Sequence, residues 1–283
     1  MRGATGFWSG LLAVVCGLLP GNLLAQSQQV RVNLSTAEYE AAIAQARESE
    51  SEWSPVQVTA FEQRDETRYS IVLERGNALP WIEKHLLTPQ EFQDQFDAYL
   101  GQGFRPVSVA LSQVDEQPRL TAIWQKRGEP GWQLSTGVSE PEFSDLAETY
   151  RTRSLHPASV SGIEVEGRVE FVVLWEAGPA ETEAALSIDP AKFRDESAAR
   201  EKQGFAPRSV QAYRSNGKSQ LAVVWEKQPK TAATTEVRAL ASQNELNDLI
   251  ESQRNGRFTI QSLSSTLIDG RPAYSVILKP NGR

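Results

Sequence analysis

Hydrophobic and polar positions repeat along this chain in a fixed order. A short, partly apolar run leads into a segment with helical period. A partly alternating run, a turn and a run apolar on both faces follow. The order occurs five times. Pro55, Pro106, Pro157 and Pro207 mark it at intervals of 51, 51 and 50 residues. Eighteen residues beyond each proline stands Leu73, Trp124, Trp175 or Trp225, and counting back from Leu278 gives Ile260 as the fifth anchor. Two residues before the anchors are Trp53, Phe104, Leu155, Phe205 and Phe258; three after are Val58, Val109, Val160, Val210 and Leu263. Agreement of five copies at several offsets identifies a tandem repeat.

Each copy predicts a short strand, a helix and two strands. Helix starts read Ser35-x-x-Glu38, Thr88-x-x-Glu91, Ser139-x-x-Glu142 and Ser242-x-x-Glu245, with Asp189-Pro190 in the fourth copy. The four hydroxyl–Glu pairs are capping boxes: the hydroxyl accepts from a free backbone N–H and the Glu reaches back to the cap. Pro89 and Pro190 are placed at the first helical position, where no N–H is needed. Phe92, Phe96 and Leu100 form the expected apolar face of the second helix, and Gly103 and Gly204 end two helices. Turn signals at Asn216-Gly217, Asp269-Gly270 and Glu166-Gly167 predict tight hairpins. Closing strands such as Phe171–Trp175 and Leu221–Trp225 are apolar on both faces, so they are expected to be central strands covered on both sides.

The fold class is therefore α+β, with five strand–helix–strand–strand repeats at residues 30–76, 81–127, 132–177, 184–228 and 235–280, forming one continuous repeat domain over 30–280. A unit of this size buries too little surface alone, and stacking on neighbours completes its core. A curved stack is the leading arrangement; a closed, propeller-like ring of five is the second. The first and fifth copies depart most from the pattern, as capping units do.

The N-terminus differs from the rest. Arg2, an apolar run from Phe7 to Leu19, a break at Pro20-Gly21-Asn22 and Leu23-Leu24-Ala25 ahead of Gln26 predict a signal peptide, residues 1–25, cleaved after Ala25. The expected location is periplasmic, cell-surface or secreted. Cys16 is the only cysteine, so the mature chain has no disulfide and no thiolate chemistry. Loss of Arg2 leaves 28 basic residues against 36 acidic ones, a net charge near −8. This acidic balance and the absence of a Lys/Arg cluster argue against nucleic acid as a partner. No later apolar run is long enough to insert in a membrane once the signal is cleaved.

Copy two carries Leu87-Thr88-Pro89-Gln90-Glu91-Phe92-Gln93, then Phe96-Asp97, Gly103-Phe104-Arg105-Pro106-Val107 and Ala122-Ile123-Trp124-Gln125-Lys126. These residues resemble the bacterial and fungal tandem structural repeat of the polyglycine hydrolase-like family, which stands in front of a serine-hydrolase domain. The resemblance extends over residues 30–280, closely in copies two and four. It implies an α+β array that accompanies a β-lactamase-like catalytic domain. Only Asn281-Gly282-Arg283 follow copy five, so the family's hydrolase activity is not expected here.

Candidate chemistry is sparse. Ser215-Asn216-Gly217-Lys218 has the Ser-x-x-Lys spacing of β-lactamase-like nucleophiles, but on a predicted hairpin rather than a helix. His85 and His156 come from different copies and suggest no metal pair. Carboxylates at Asp65-Glu66, Asp115-Glu116, Glu164 and Glu166 could serve calcium or glycoside chemistry, or be solvated turn charge. No metal and no cofactor is expected. Trp124, Trp175 and Trp225, with Trp81 and Trp132, are candidate ligand-facing aromatics, against the competing reading that they pack the repeat core. The functional expectation is an exported, non-catalytic module that binds a protein, peptide or glycan, or acts as a scaffold. The alternative is an accessory substrate-recognition subunit for a separately encoded serine hydrolase. A hydrolase site assembled across copies ranks last. An enzyme would gather polar residues unique to one copy in a pocket; a binder would line a groove with equivalent positions from several copies.

Overall fold

The computed structural model describes residues 27–48, 52–77, 79–178, 181–229, 235–254 and 258–281. The expected signal peptide, with Cys16, lies outside the described residues. The fold is α+β and mostly sheet. Five small three-stranded antiparallel sheets follow one another, each with its helix. Repeat one comprises β1 (Gln28–Leu34), α1 (Thr36–Arg47), β2 (Trp53–Gln63) and β3 (Glu66–Arg75). Repeat two has β4 (Trp81–Leu87), α2 (Pro89–Gly101), β5 (Arg105–Val114) and β6 (Gln117–Gln125). Repeat three has β7 (Trp132–Val138), α3 (Glu140–Arg151), β8 (Leu155–Val165) and β9 (Arg168–Ala177). Repeat four has β10 (Thr182–Ile188), α4 (Phe193–Glu201), β11 (Phe205–Ser215) and β12 (Lys218–Lys227). Repeat five has β13 (Glu236–Ala241), α5 (Gln243–Arg254), β14 (Phe258–Ile268) and β15 (Arg271–Pro280).

In every sheet the closing strand lies in the middle, between the opening and second strands, as in the order β1-β3-β2. This is why the closing strands are apolar on both faces. In β3, Tyr69, Ile71 and Leu73 face α1 and the core of repeat one, while Val72 belongs to the core of repeat five. The alternation recurs. Ala122 and Trp124 pack in the core of repeat two, and Ile123 in that of repeat one. Val223 and Trp225 serve repeat four, and Ala222 and Val224 serve repeat three. Each core thus consists of one repeat's helix and central strand plus the opposite face of the next repeat's sheet. The fifth core is completed by Val30, Val32, Val56 and Val72 of repeat one.

Polar contacts accompany that junction. The Gln28 amide, almost fully buried, donates from Nε2 to the Ile260 carbonyl at 3.1 Å and accepts from the Ile260 N–H at 2.7 Å. Gln57 does the same one step further along: Nε2 donates to the Gln261 carbonyl at 2.7 Å, and Oε1 accepts from the Leu263 N–H at 2.9 Å. A primary amide has the donor–acceptor pattern of a peptide unit, so each Gln takes the place of a ladder partner on the open edge of β14.

Local chemistry sets the element ends. All four hydroxyl–Glu capping boxes form; at α5, the Ser242 N–H donates to Glu245 at 2.8 Å and the Glu245 N–H to Ser242 at 3.4 Å. Pro190 differs from expectation. It sits in a turn just before α4, because Asp189 Oδ1 accepts from the Ala191 N–H at 2.9 Å and the Asp189 carbonyl from the Lys192 N–H at 2.8 Å. Leu100 is also displaced from its expected role and is 48 % exposed. At 100° per residue, Tyr99 lies nearer the Phe92 face than Leu100 does, and Tyr99 packs edge-on against Trp124 at 5.2 Å.

All five hairpins turn through two residues of positive φ. Two of them use no glycine: Arg64-Asp65 and Asp115-Glu116. Left-handed backbone costs a non-glycine residue about 1–2 kcal/mol, part of which is offset by the greater unfolded-chain freedom of a glycine. Replacing exposed Glu116, at φ +60°, with glycine is expected to raise stability by about 0.5–1 kcal/mol. Urea denaturation checks this; an unchanged or lower midpoint would count against the strain.

Candidate binding cavity

The second strands of the five repeats, β2, β5, β8, β11 and β14, form one edge of each sheet and approach one another. Each carries a β-bulge just after its anchor, for example between Pro106 and Ser108 and between Pro207 and Ser209. Two residues beyond the anchors stand Gln57, Ser108, Ser159, Ser209 and Ser262, and all five line one cavity of about 490 Å³. Val58, Val109, Val160, Val210 and Leu263 line it as well. A second cavity of about 220 Å³ begins further along the same strands, at Ala60, Leu111, Gly162, Ala212 and Ser265.

Between the two cavities, side chains bridge neighbouring second strands where no backbone ladder exists. The Val58 N–H donates to Ser108 Oγ at 3.2 Å, Leu111 N–H to Ser161 Oγ at 2.8 Å, and Gly162 N–H to Gln211 Oε1 at 2.7 Å. Ser265 N–H donates to Thr59 Oγ1 at 3.3 Å. Backbone groups on these edges would otherwise be buried without partners. The buried hydroxyl of Ser264 has no partner among the described residues.

One rim of the larger cavity is charged. Glu176 accepts from Arg105 at 2.8 Å through Oε1 and from Arg208 at 2.7 Å through Oε2. Arg208 also reaches Glu226 at 3.5 Å, and Arg105 donates to the Pro130 carbonyl. Arg127 stands 3.6 Å from Glu176, too far for a hydrogen bond, and its Nε is shielded from solvent with no acceptor among the described residues. The Arg105 side chain is 1 % exposed. Burial first, and then the neighbouring Arg127 charge, hold its guanidinium below the ordinary arginine range. Three guanidiniums thus gather at Glu176 and Glu226, and Glu129 also acts on Arg105.

The sequence candidates are placed as follows. Trp124, Trp175 and Trp225 are each 0 % exposed. They lie under their helices and cannot stack on a ligand, which corrects their selection as ligand-facing aromatics in favour of the core reading. Trp175 Nε1 donates to Ser135 Oγ at 3.1 Å, and the Arg200 guanidinium covers Trp225 at 4.0 Å. Trp81 and Trp132 are half-buried and seal joints between repeats. Arg47 of α1 lies 5.2 Å over Trp81, and Phe96 of α2 meets Trp132 edge-on at 5.9 Å. Trp81 also borders an open groove of about 710 Å³ with Arg47 and Trp53. Ser215 and Lys218 are cross-strand partners flanking the Asn216-Gly217 turn, so the Ser-x-x-Lys spacing is a hairpin. The hairpin carboxylates contribute to the joints: Glu62 accepts from the Asp115 N–H at 3.1 Å, and Glu164 from the Asn216 N–H. Among the described residues, no group of three or more His, Asp, Glu or Cys side chains is placed to hold a metal ion.

Sequence reasoning passed over two clusters. The cavity serines carried a signal, a Ser two residues beyond four of the five anchors. The other cluster joins repeats one and two, where buried Glu83 accepts from Tyr39 at 2.9 Å and meets His85 Nδ1 at 3.0 Å. Tyr39 stacks on Tyr69 at 4.3 Å, Glu40 lies 3.7 Å from His85, and Arg47 lies 3.8 Å from Glu83. Burial raises both phenols, Tyr69 to about 12.

Against this geometry, a family profile for the polyglycine hydrolase-like structural repeat matches residues 78–127, 129–177 and 180–228, more than half of the chain. The chain belongs to that repeat family. The matched segments are repeats two to four; repeats one and five share their sheet order but lack the tryptophan. No curated protein matches the chain.

The hydrogen bond to Glu83 is the main cause that raises the His85 pKa above its usual 6.5, with burial opposing and Lys84 a minor opposing charge. A raised folded-state pKa stabilises fully below the unfolded value and is lost as pH rises through the folded one. The stability advantage of the native chain over His85→Gln is therefore expected to be larger at pH 6 than at pH 9. Urea midpoints at the two pH values measure it, and an advantage that grows with pH would refute the assignment.

Proposed function

We propose that the protein is an exported, non-catalytic binding module whose five repeats close into a ring around its ligand site. The observation that carries this reading is the larger cavity, lined at equivalent positions by the second strand of every repeat. Closure is supported by the fifth core, which takes its missing side from repeat one, and by the Gln28 and Gln57 amides, which reach β14. Export rests on the signal-peptide pattern of residues 1–25. The preferred ligand is an extended peptide. Seryl hydroxyls can donate to or accept from amide groups, and the valines between them offer apolar contact.

Filling the cavity tests the reading. The mature chain, residues 26–283, is expected to retain members of a random-hexapeptide library, and Ser159→Trp or Ser209→Trp to abolish retention while near-UV circular dichroism shows a folded protein. Retention indifferent to both substitutions would place binding elsewhere. Retention of no peptide, with hits on a glycan array instead, would overturn the peptide reading.

A further inference from the structure

We infer that the charged rim of the larger cavity is a subsite for the terminal carboxylate of a peptide, with Arg127 as its principal donor and Arg208 beside it. The inference rests on the cavity being the ligand site. Its first support is charge. Arg105, Arg127 and Arg208 gather at Glu176 and Glu226, with the Glu129 carboxylate also acting on Arg105, so three cations are concentrated in a chain whose formal net charge is −7.

The second support is hydrogen-bond capacity. Each oxygen of Glu176 already accepts from another arginine, so the Arg127 side chain is left with an ionic neighbour and, among the described residues, no hydrogen bond. Its side chain lines the cavity and is 37 % exposed, so its outer guanidinium nitrogens are the donors open to a ligand. The third is position. Ser54, His156, Ala206 and Thr259 stand where Arg105 does in the other copies. Gly76, Gly178, Gln228 and Asn281 match Arg127, and Val56, Val107, Ala158 and Gln261 match Arg208. None of these is an arginine or lysine, so repeat packing does not require the three cations. Arg208 is the bulge residue of β11, and bulges re-aim side chains.

The fourth support is the floor of the cavity. Ser159, Ser209 and Ser262 line it. A peptide anchored by its carboxylate at the rim presents its last amide groups to these hydroxyls. Terminal-carboxylate capture by fixed donors is a recurrent mode of peptide recognition.

The test uses the mature chain and two N-acetylated tripeptide pools of the same sequences, one with free C-terminal acids and one with C-terminal amides. Free acids are expected to bind about tenfold tighter or better, the usual worth of a charge-assisted hydrogen bond. Arg127→Gln should remove that advantage, so that acids and amides bind with equal affinity. Arg127 makes no hydrogen bond whose loss would unfold the chain, and a thermal melt confirms folding. Acids and amides bound equally would overturn the carboxylate subsite and leave the peptide-binding cavity standing. An unchanged preference in Arg127→Gln, or inorganic phosphate displacing the acids at equal concentration, would also overturn it. Binding of neither pool would defeat the peptide reading itself.

Discussion

Every part of this structure depends on one constraint: a three-stranded sheet with a single helix can cover only one of its faces. The helix takes the face carrying Trp124, Trp175 or Trp225, and the other face must be covered by a different repeat. Alternation along the central strand divides its side chains between two cores, so no repeat has a complete core of its own. Burying a large aliphatic side chain contributes about 1.5–3 kcal/mol, and Val72, Ile123, Val172, Val224 and Ile277 make that contribution in the preceding repeat's core or, for Val72, in the fifth. Repeat stability and repeat association are therefore the same quantity. The fifth core follows the same rule, for it takes side chains from repeat one.

The same arrangement dictates where polar chemistry can gather. Central strands are covered, and of the two edges of each sheet it is the second strand's that meets its counterparts in the other repeats. Brought together, they cannot all pair by backbone ladders, and Ser108, Ser161, Gln211 and the Gln57 amide take over as bridges. The space between them is lined by hydroxyls and valines, a surface suited to a polar chain rather than to a purely apolar ligand. On this near-repetitive lining the Arg105–Arg127–Arg208 rim is the asymmetric feature, and asymmetry gives a ligand its direction.

Much of the fold was legible in the sequence because local rules decide it. Capping boxes, the paired positive-φ turn residues and the two-faced apolar strands each act within a few residues, and they predict the unit and its sheet order. Leu100 and Pro190 were misplaced by small local effects: the difference between a spacing of seven and eight residues on a helix, and a carboxylate that turns the chain before the helix begins. The site was far less legible. Tryptophan at a fixed offset signals either stacking or core, and only burial separates the two. The Glu83–His85–Tyr39 cluster and the arginine rim join residues of different repeats at positions without periodicity, so no spacing reveals them. Contact between repeat five and repeat one is likewise invisible to a pattern that relates each unit only to its neighbour.

Hydrogen exchange at the backbone amides of Ile260 and Leu263 tests closure most directly. Both N–H groups point away from β15 and donate to Gln28 and Gln57 of repeat one. In a closed ring they exchange as slowly as amides of the central strands, and Gln28→Ala and Gln57→Ala each release the matching amide. In an open stack they lie on a bare sheet edge. Exchange of both at the rate of an unprotected peptide in the native chain would contradict the ring and, with it, the enclosed site.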